Sequence, residues 1–356
     1  MVNVAVVGFG MSATVFHLPF LSTLPGFRVA AIVQRRGHEA AAAFPEAIIY
    51  TQFDDVLSNP DIHLVVVTTP NSTHFPFAKA ALLAGKHVVV EKPFTNTSAE
   101  AAELVALAQQ KGLVLSVYHN RRYVSDFFTI KALIAQGVLG AVHEYECHFD
   151  RYRPEPRNYA HWREESSDIG GGVLYDLGSH LIDQALCLFG LPQNITAHLK
   201  IQRPFGLADD YFDLRLDFDG TTAILKSSML VLEMGPRYMV HGHLGSFIKH
   251  GDDPQEADLK LGKLPTAPHW GVEPEHMAGL LHTTVSGTAV KESYPSLPGN
   301  FGLYYERLLK TLLTGAPLHE KPEHGYNVVR IIELARQSHA EKRTIACTNL
   351  LSVPYL

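Results

Sequence analysis

The sequence predicts an α/β protein, with an N-terminal doubly wound parallel sheet followed by an α+β domain built on a large, mostly antiparallel open sheet. Three observations predict it. Short apolar runs alternate with helical intervals from Val4 to Val117, as parallel strands joined by crossover helices do. The first of these runs breaks at the hexapeptide Gly8-Phe9-Gly10-Met11-Ser12-Ala13. Beyond Val142 the period falls to two, in His143-Glu144-Tyr145-Glu146-Cys147-His148-Phe149 and in Phe212-Asp213-Leu214-Arg215-Leu216-Asp217-Phe218, the pattern of half-buried antiparallel strands. At 356 residues the chain exceeds the size at which one core keeps growing. Two domains are expected, residues 1–120 and 121–356.

Val4-Ala5-Val6-Val7 reads as a short buried strand that the hexapeptide turns into a helix. Gly8 allows the tight turn, Gly10 leaves no Cβ in the path of a pyrophosphate, and small Ala13 lets helix and strand pack closely. This is the dinucleotide fingerprint of a Rossmann domain in its G-x-G-x-x-A form, with the helix N-terminus offering free N–H groups to the anion. The second strand, Arg28 to Val33, ends in Gln34-Arg35-Arg36. An NAD-binding protein usually carries an acidic residue here for the ribose 2′-hydroxyl. None is present. Arg35 and Arg36 suit a 2′-phosphate and favour NADP over NAD, although paired arginines also suit a solvated loop.

The alternation continues through Ile48-Ile49-Tyr50, Leu64 to Val67, His87 to Val90 and Val114 to Val117. After the fourth strand comes Thr68-Thr69-Pro70-Asn71-Ser72-Thr73-His74, a polar loop at the sheet edge where such folds bind ligands; Asn71, Ser72 or Thr73 would equally cap the next helix. The fifth strand runs into Glu91-Lys92-Pro93, and a capping box, Thr97-x-x-Glu100, opens a helix that ends near Gly112. A lysine at the end of a buried strand is costly unless a site needs it; by position alone it is also an ordinary surface lysine. The sixth strand closes at His119-Asn120-Arg121-Arg122, polar groups within reach of a polyol.

In the second half, Asp168 to Asp183 contains three consecutive glycines followed by Asp176 and His180. On a helix the i, i+4 spacing puts both on one face, with Leu177, Leu181 and Leu188 on the opposite, core-facing stripe. Either alone reads as a structural group that finds its hydrogen bonds. Asp252 to Pro298 is rich in Pro, Gly and charge and reads as a long irregular excursion. Two helices, Tyr304 to Leu313 and Val328 to Glu341, close the chain.

Gly8-Phe9-Gly10-Met11-Ser12-Ala13, Thr69-Pro70-Asn71 with His74, Glu91-Lys92-Pro93 and Asp176-Leu177-Gly178-Ser179-His180 together resemble the glucose–fructose oxidoreductase / inositol dehydrogenase / rhizopine catabolism (Gfo/Idh/MocA) family, in order and over essentially the whole chain. Tyr118-His119-Asn120-Arg121-Arg122 and Phe149-Asp150-Arg151-Tyr152-Arg153-Pro154 resemble the bacterial branch that includes NADP-dependent scyllo-inositol dehydrogenase and its uncharacterised relatives. The resemblance implies Lys92, Asp176 and His180 as catalytic residues. It implies cofactor contacts from the hexapeptide, Gln34, Arg35, Arg36, Thr69, Pro70, Asn71, His74, Glu91 and Lys92. Trp162 and Arg163, after His161, resemble the family's W-R pair beside the nicotinamide, while Trp162 also suits a core. His119, Asn120, Arg121 and Tyr152 are the candidate substrate contacts. Oxidising an alcohol needs a base for the hydroxyl proton while hydride leaves the same carbon. His180 has a suitable ordinary pKa, ~6.5, Lys92 can stabilise alkoxide charge, and Asp176 can bind a neighbouring hydroxyl or orient the base. Whether Lys92 or His180 carries the proton stays open.

A net charge of −6 with no basic patch argues against nucleic acid, whose phosphates require clustered Lys and Arg. The apolar runs are far shorter than the ~20 residues of a membrane span, and Met1-Val2-Asn3 lacks a basic signal-peptide start, so a cytoplasmic protein is expected. The 3 cysteines, Cys147, Cys187 and Cys347, encode neither a disulfide framework nor a zinc site. The histidines His241, His243, His250, His269, His276 and His282 lack ligand spacing, so no metal is expected. The family implies a homodimer or homotetramer through the second sheet. Rival readings are a reductase of dihydrodiols, biliverdin or sugar-derived imines, and a dinucleotide sensor without turnover.

Overall fold

Continuous apolar runs become strands covered on both faces. β1 (Val2–Val7), β2 (Phe27–Val33), β3 (Ile48–Tyr50), β4 (Leu64–Val67), β5 (His87–Val90) and β6 (Leu115–Val117) form an all-parallel sheet in the order β3-β2-β1-β4-β5-β6. Val4 to Val7 and Leu64 to Val67 are 0–1% exposed, which explains why these strands read as unbroken runs of Val, Ala and Leu instead of alternating. The computed structural model describes residues 1–155, 170–285 and 287–355.

The chain divides into two compact units. The first comprises Met1–Asn120, Gln255–Trp270 and Asn300–Tyr326; the second comprises Arg121–Pro254, Gly271–Gly299 and Asn327–Leu356. The division after residue 120 is the one read from the sequence. The assignment of all of 121–356 to a single domain differs from it, because residues 255–270 and 300–326 return to the first unit. Their apolar side chains complete its core: Tyr304 and Tyr305 meet Tyr118 with ring centroids 4.7 and 5.9 Å apart, and Trp270 and Phe301 lie against Phe20.

In the second unit β7 (Val142–His148), β8 (Asn194–Lys200), β9 (Tyr211–Asp217), β10 (Thr222–Ser228), β11 (Tyr238–Gly242), β12 (Gly245–Lys249), β13 (Gly279–Thr283), β14 (Val290–Tyr294) and β15 (Ile345–Ala346) form a sheet in the order β14-β13-β12-β11-β7-β10-β9-β8-β15. Every pairing is antiparallel except β7 with β10. One face carries the core, in which Tyr145, Leu216, Ala223, Val240 and Phe247 are fully buried among Leu181, Ile182, Val328 and Ile332 of two helices, Ser179–Phe189 and Pro322–Glu341.

Two sequence readings are corrected. The stretch expected to be an irregular excursion holds a helix, Gln255–Lys260, and both β13 and β14. β14 is almost wholly exposed, so it has no apolar alternation, and pairing with β13 alone defines it. The helix after the fingerprint is not uniform: Ser12–His17 is wound as a π-helix before Leu18–Thr23 continues as an α-helix. The capping box forms as read, with Glu100 N–H donating to Thr97 Oγ1 at 3.2 Å and Gly112 closing the helix at φ 63°. Among the described residues no helix is long and apolar enough to cross a membrane.

Candidate active site

The carboxyl ends of β1, β4 and β5, neighbours in the first sheet, gather most of the expected cofactor residues at one edge. Gly8 has φ 106°, and a Cβ there would meet Thr68 Oγ1 at 2.9 Å, while Thr68 Oγ1 itself donates to Val7 O at 2.9 Å. Only glycine fits this turn. At Gly10 a Cβ would meet nothing within 4 Å, so the turn is open where a pyrophosphate would approach. Ala13 is fully buried, Met11 is exposed, and Phe9 packs edge-on to Phe44. The Rossmann edge therefore fits a nicotinamide dinucleotide.

At the end of β2, Gln34 is turned inward. It accepts from Ala40 N–H at 2.9 Å and donates to Glu39, securing the start of the helix Glu39–Ala43. Arg35 and Arg36 beside it are exposed, and neither guanidinium has a hydrogen-bond or ion-pair partner among the described residues.

The loop after β4 is stapled to the loop after β5. His74 is wholly buried, its Nδ1 is 2.8 Å from Pro93 O and its Nε2 is 2.9 Å from Thr69 O. Expected among the cofactor contacts, it braces the loop through both ring nitrogens. Asn71 is 8% exposed and opens a short 3₁₀ turn, while Thr69 is half-buried and Pro70 exposed. Glu91 is 5% exposed and also faces inward. Its Oε1 accepts from Ser12 Oγ at 2.5 Å and lies 3.0 Å from His17 Nε2, and its Oε2 accepts the Lys92 N–H at 2.9 Å. Burial pushes this carboxyl up, but the His17 hydrogen bond and charge, the nearby Lys92 and the Ser12 hydroxyl outweigh it and bring Glu91 down to about 2. Lys92 follows at the mouth of β5, 8% exposed, and His119 and Asn120 close this unit, 1% and 5% exposed.

The second unit holds Asp176 and His180. Leu174–Gly178 is a π-helical turn that runs directly into the helix Ser179–Phe189. The preceding glycines have a definite use: Gly172 has φ 90°, and a Cβ there would strike the Asp209 carboxylate. Asp209 can thus approach and accept the Leu174 N–H at 2.8 Å, capping the site helix, with Arg336 2.9 Å away. Asp176 is half-buried, His180 is 7% exposed, and the His180 ring lies 6.4 Å from that of Phe149. One turn further, Asp183 takes a two-pronged ion pair from Arg122 at 2.6 and 2.8 Å, and Gln184 donates to Arg121 O at 2.8 Å. Arg121, Arg151 and Arg237 stack on Phe149 at 5.4, 4.3 and 3.8 Å. Tyr152 is 48% exposed. Of the expected pair Trp162 and Arg163, both lie outside the described residues, as do His161 and Asp168.

Two family profiles match the chain: the oxidoreductase family's NAD-binding Rossmann fold over residues 2–119 and its C-terminal alpha/beta domain over residues 131–347. The chain belongs to the Gfo/Idh/MocA oxidoreductase family. It is 43% identical over 345 residues to the scyllo-inositol 2-dehydrogenase (NADP(+)) IolW of Bacillus subtilis, covering 97% of this chain and 95% of that one. It is 40% identical to the uncharacterized oxidoreductase YdgJ of Escherichia coli, covering 97% and 98%. Among solved structures, the Bacillus subtilis oxidoreductase yvaA matches with TM-score 0.93 at 42% identity, covering 97% and 98%. With an NAD-binding Rossmann domain and the C-terminal domain of this oxidoreductase family, the chain is a dehydrogenase.

Within this Gfo/Idh/MocA chain, Lys92 belongs to the first unit and Asp176 and His180 to the second. Sequence reasoning missed His17, Asp183, Gln184 and Asp209 as supports. Asp176, His180, Asp183 and Gln184 recur at i, i+4, i+7 and i+8, a polar stripe that could have been read as one helix face. Nothing local marks Asp209, 33 residues beyond Asp176.

Proposed function

We propose that the chain is an NADP-dependent dehydrogenase of a cyclic polyol or sugar, interconverting a carbinol and a carbonyl. The carrying observation is the pair Arg35 and Arg36: exposed, without carboxylate partners among the described residues, and placed at the β2 end where an acidic residue would select NAD. The polyol class is supported by the name of the relative at 43% identity. Gly8 to Ala13, Thr69, Pro70 and Asn71 hold the dinucleotide, and Arg35 and Arg36 hold its 2′-phosphate. When bound, NADP supplies or accepts the hydride. Lys92 donates a hydrogen bond to the reacting oxygen and stabilises developing alkoxide charge. His180 takes the hydroxyl proton, and Asp176 holds a neighbouring hydroxyl. His119, Asn120, Arg121 and Tyr152 take further hydroxyls, and Trp162 with Arg163 flanks the nicotinamide. Two or four copies associate through the second sheet.

The test measures initial rates at the nicotinamide absorbance band with NADP and NAD in parallel, against inositols, aldoses and the matching ketones and lactones. NADP is preferred, and removing both guanidiniums in Arg35→Ala/Arg36→Ala lowers that preference about 10²-fold, since hydrogen bonds to a charged group contribute about 1.5–3 kcal/mol each. A preference for NAD overturns the cofactor assignment. Turnover confined to carbonyls or imines unrelated to polyols overturns the substrate class.

A further inference from the structure

Beneath the β5 end a hydrogen-bond chain runs from Tyr305 through His17, neither of which the catalytic reading gives a role, to Glu91. The Tyr305 hydroxyl lies 2.5 Å from His17 Nδ1, His17 Nε2 lies 3.0 Å from Glu91 Oε1, and Glu91 also receives Ser12 Oγ at 2.5 Å and the Lys92 N–H at 2.9 Å. His17 and Tyr305 are wholly buried. The chain brings together three distant segments: the fingerprint helix, the β5 end, and the helix Gly302–Thr314.

The direction of each bond follows from donor chemistry. Three donors converge on one carboxylate, which suits its charged form. Burial, and then Tyr118, Tyr304 and Glu91, push the Tyr305 phenol well above its ordinary range, so it keeps its proton. Nε2–H donates to the Glu91 carboxylate, and Tyr305 O–H can donate to Nδ1 when His17 is neutral. One tautomer of His17 satisfies the whole chain. The logic is that of a buried acid fixing an imidazole, in which the imidazole and phenol in turn fix the acid.

We propose that Glu91 is a positioning residue that fixes the Lys92 backbone, and that His17 and Tyr305 hold its carboxylate in place. The proposal rests on the reading of Lys92 as the group that meets the substrate oxygen. A displacement of about 1 Å in such a group costs on the order of 10²-fold in rate.

The test combines kinetics with spectroscopy on the full-length protein. In ¹⁵N spectra of the protein without added ligand, His17 shows a pyrrole-like Nε2 and a pyridine-like Nδ1; the opposite tautomer or an imidazolium signature overturns the chain. His17→Leu and Glu91→Gln each lower kcat about 10²-fold with the NADPH dissociation constant, read by fluorescence titration, unchanged. His17→Gln, whose amide keeps a donor and an acceptor, restores most of the rate. Tyr305→Phe keeps the ring packing and lowers kcat about tenfold, the loss of one hydrogen bond, which carries the kinetic test should His17→Leu not fold. Full activity in His17→Leu or Tyr305→Phe, or a parallel loss of NADPH affinity, overturns the proposal. Lys92→Ala is measured alongside: if it retains activity, the catalytic reading fails while the His17 tautomer remains as found, and if it is dead while Glu91→Gln is fully active, the positioning role alone fails.

Discussion

Asp126 is a residue whose chemistry the fold changes greatly. It lies in the first turn of the helix Ser125–Ala135, 2% exposed, with Oδ1 accepting the Phe127 N–H at 2.7 Å. Burial pushes its carboxyl up to about 7, against Arg237 and Lys249, which lower it, and with Asp253 and Glu273, which raise it. A raised acid in the folded state binds a proton that the unfolded chain has already lost, so stability falls as pH rises from about 4, the ordinary value, to about 7. Asp126→Asn keeps an acceptor for Phe127 and removes the titration. We expect the variant to melt higher than the wild-type protein at pH 8 and to lose that advantage below pH 4; parallel melting-temperature profiles would contradict the assignment. In the sequence Asp126 is one of 36 acidic residues, and nothing local distinguishes it. Lys92 and His180 were singled out by their neighbours in sequence, whereas His17 and Tyr305, 288 positions apart, meet only in the folded chain.

The turn after β1 separates two demands that the fingerprint joins. Gly8 serves the protein, because its positive φ and the 2.9 Å approach to Thr68 leave no room for a side chain. Gly10 meets no such limit within the protein, since a Cβ there would face open space, and in the proposed cofactor site its demand is the ligand's. Gly8→Ala should therefore destabilise the first unit by about 1–3 kcal/mol, the strain of a non-glycine residue held in an unfavourable region, seen as a lower denaturation midpoint. Gly10→Ala should leave that midpoint in place and weaken NADPH binding in a fluorescence titration. Equal effects of the two on stability would show that the glycines are not divided in this way. At this scale much was legible: β1 to β6 and the capped helix Ser98–Lys111 follow from apolar runs and caps close in sequence. β14 and β15 were not, because an exposed five-residue strand and a two-residue strand owe their existence to partners, β13 and β8, and carry no periodic signal of their own.

Across the whole molecule, the nine-stranded sheet carries one fully buried row and one that runs from buried Ile224 to exposed Leu280. Leu281, Phe247, Val240, Tyr145, Ala223 and Leu216 stand opposite one another on the core face, each no more than 3% exposed. One residue along each strand, Leu280, Ile248, Met239, Glu146 and Ile224 form a row on the other face, because directly paired residues share a face. Leu280 is 38% exposed, and Ile248 and Met239 are half-buried. Such an apolar row on a paired sheet suits burial against a second copy, as the proposed association requires. Ile248→Arg should shift the protein toward monomers by light scattering while its melting temperature stays close to that of the separated subunit; a wild-type protein that is monomeric at micromolar concentration would end this reading.

The sequence by itself determined the fold class, the dinucleotide turn, the lack of an acid at the β2 end and the family motifs around Lys92, Asp176 and His180, because each is written in residues at most a few positions apart. Short-range periodicity and turn chemistry act within one element, and reading them needs no partner. The tertiary structure alone decided which residues complete the first unit from 255–270 and 300–326, which way His74 and Glu91 face, and that Asp209 caps the site helix. Burial and hydrogen-bond direction depend on groups brought together from far along the chain, so these properties belong to the contacts and not to any stretch of sequence.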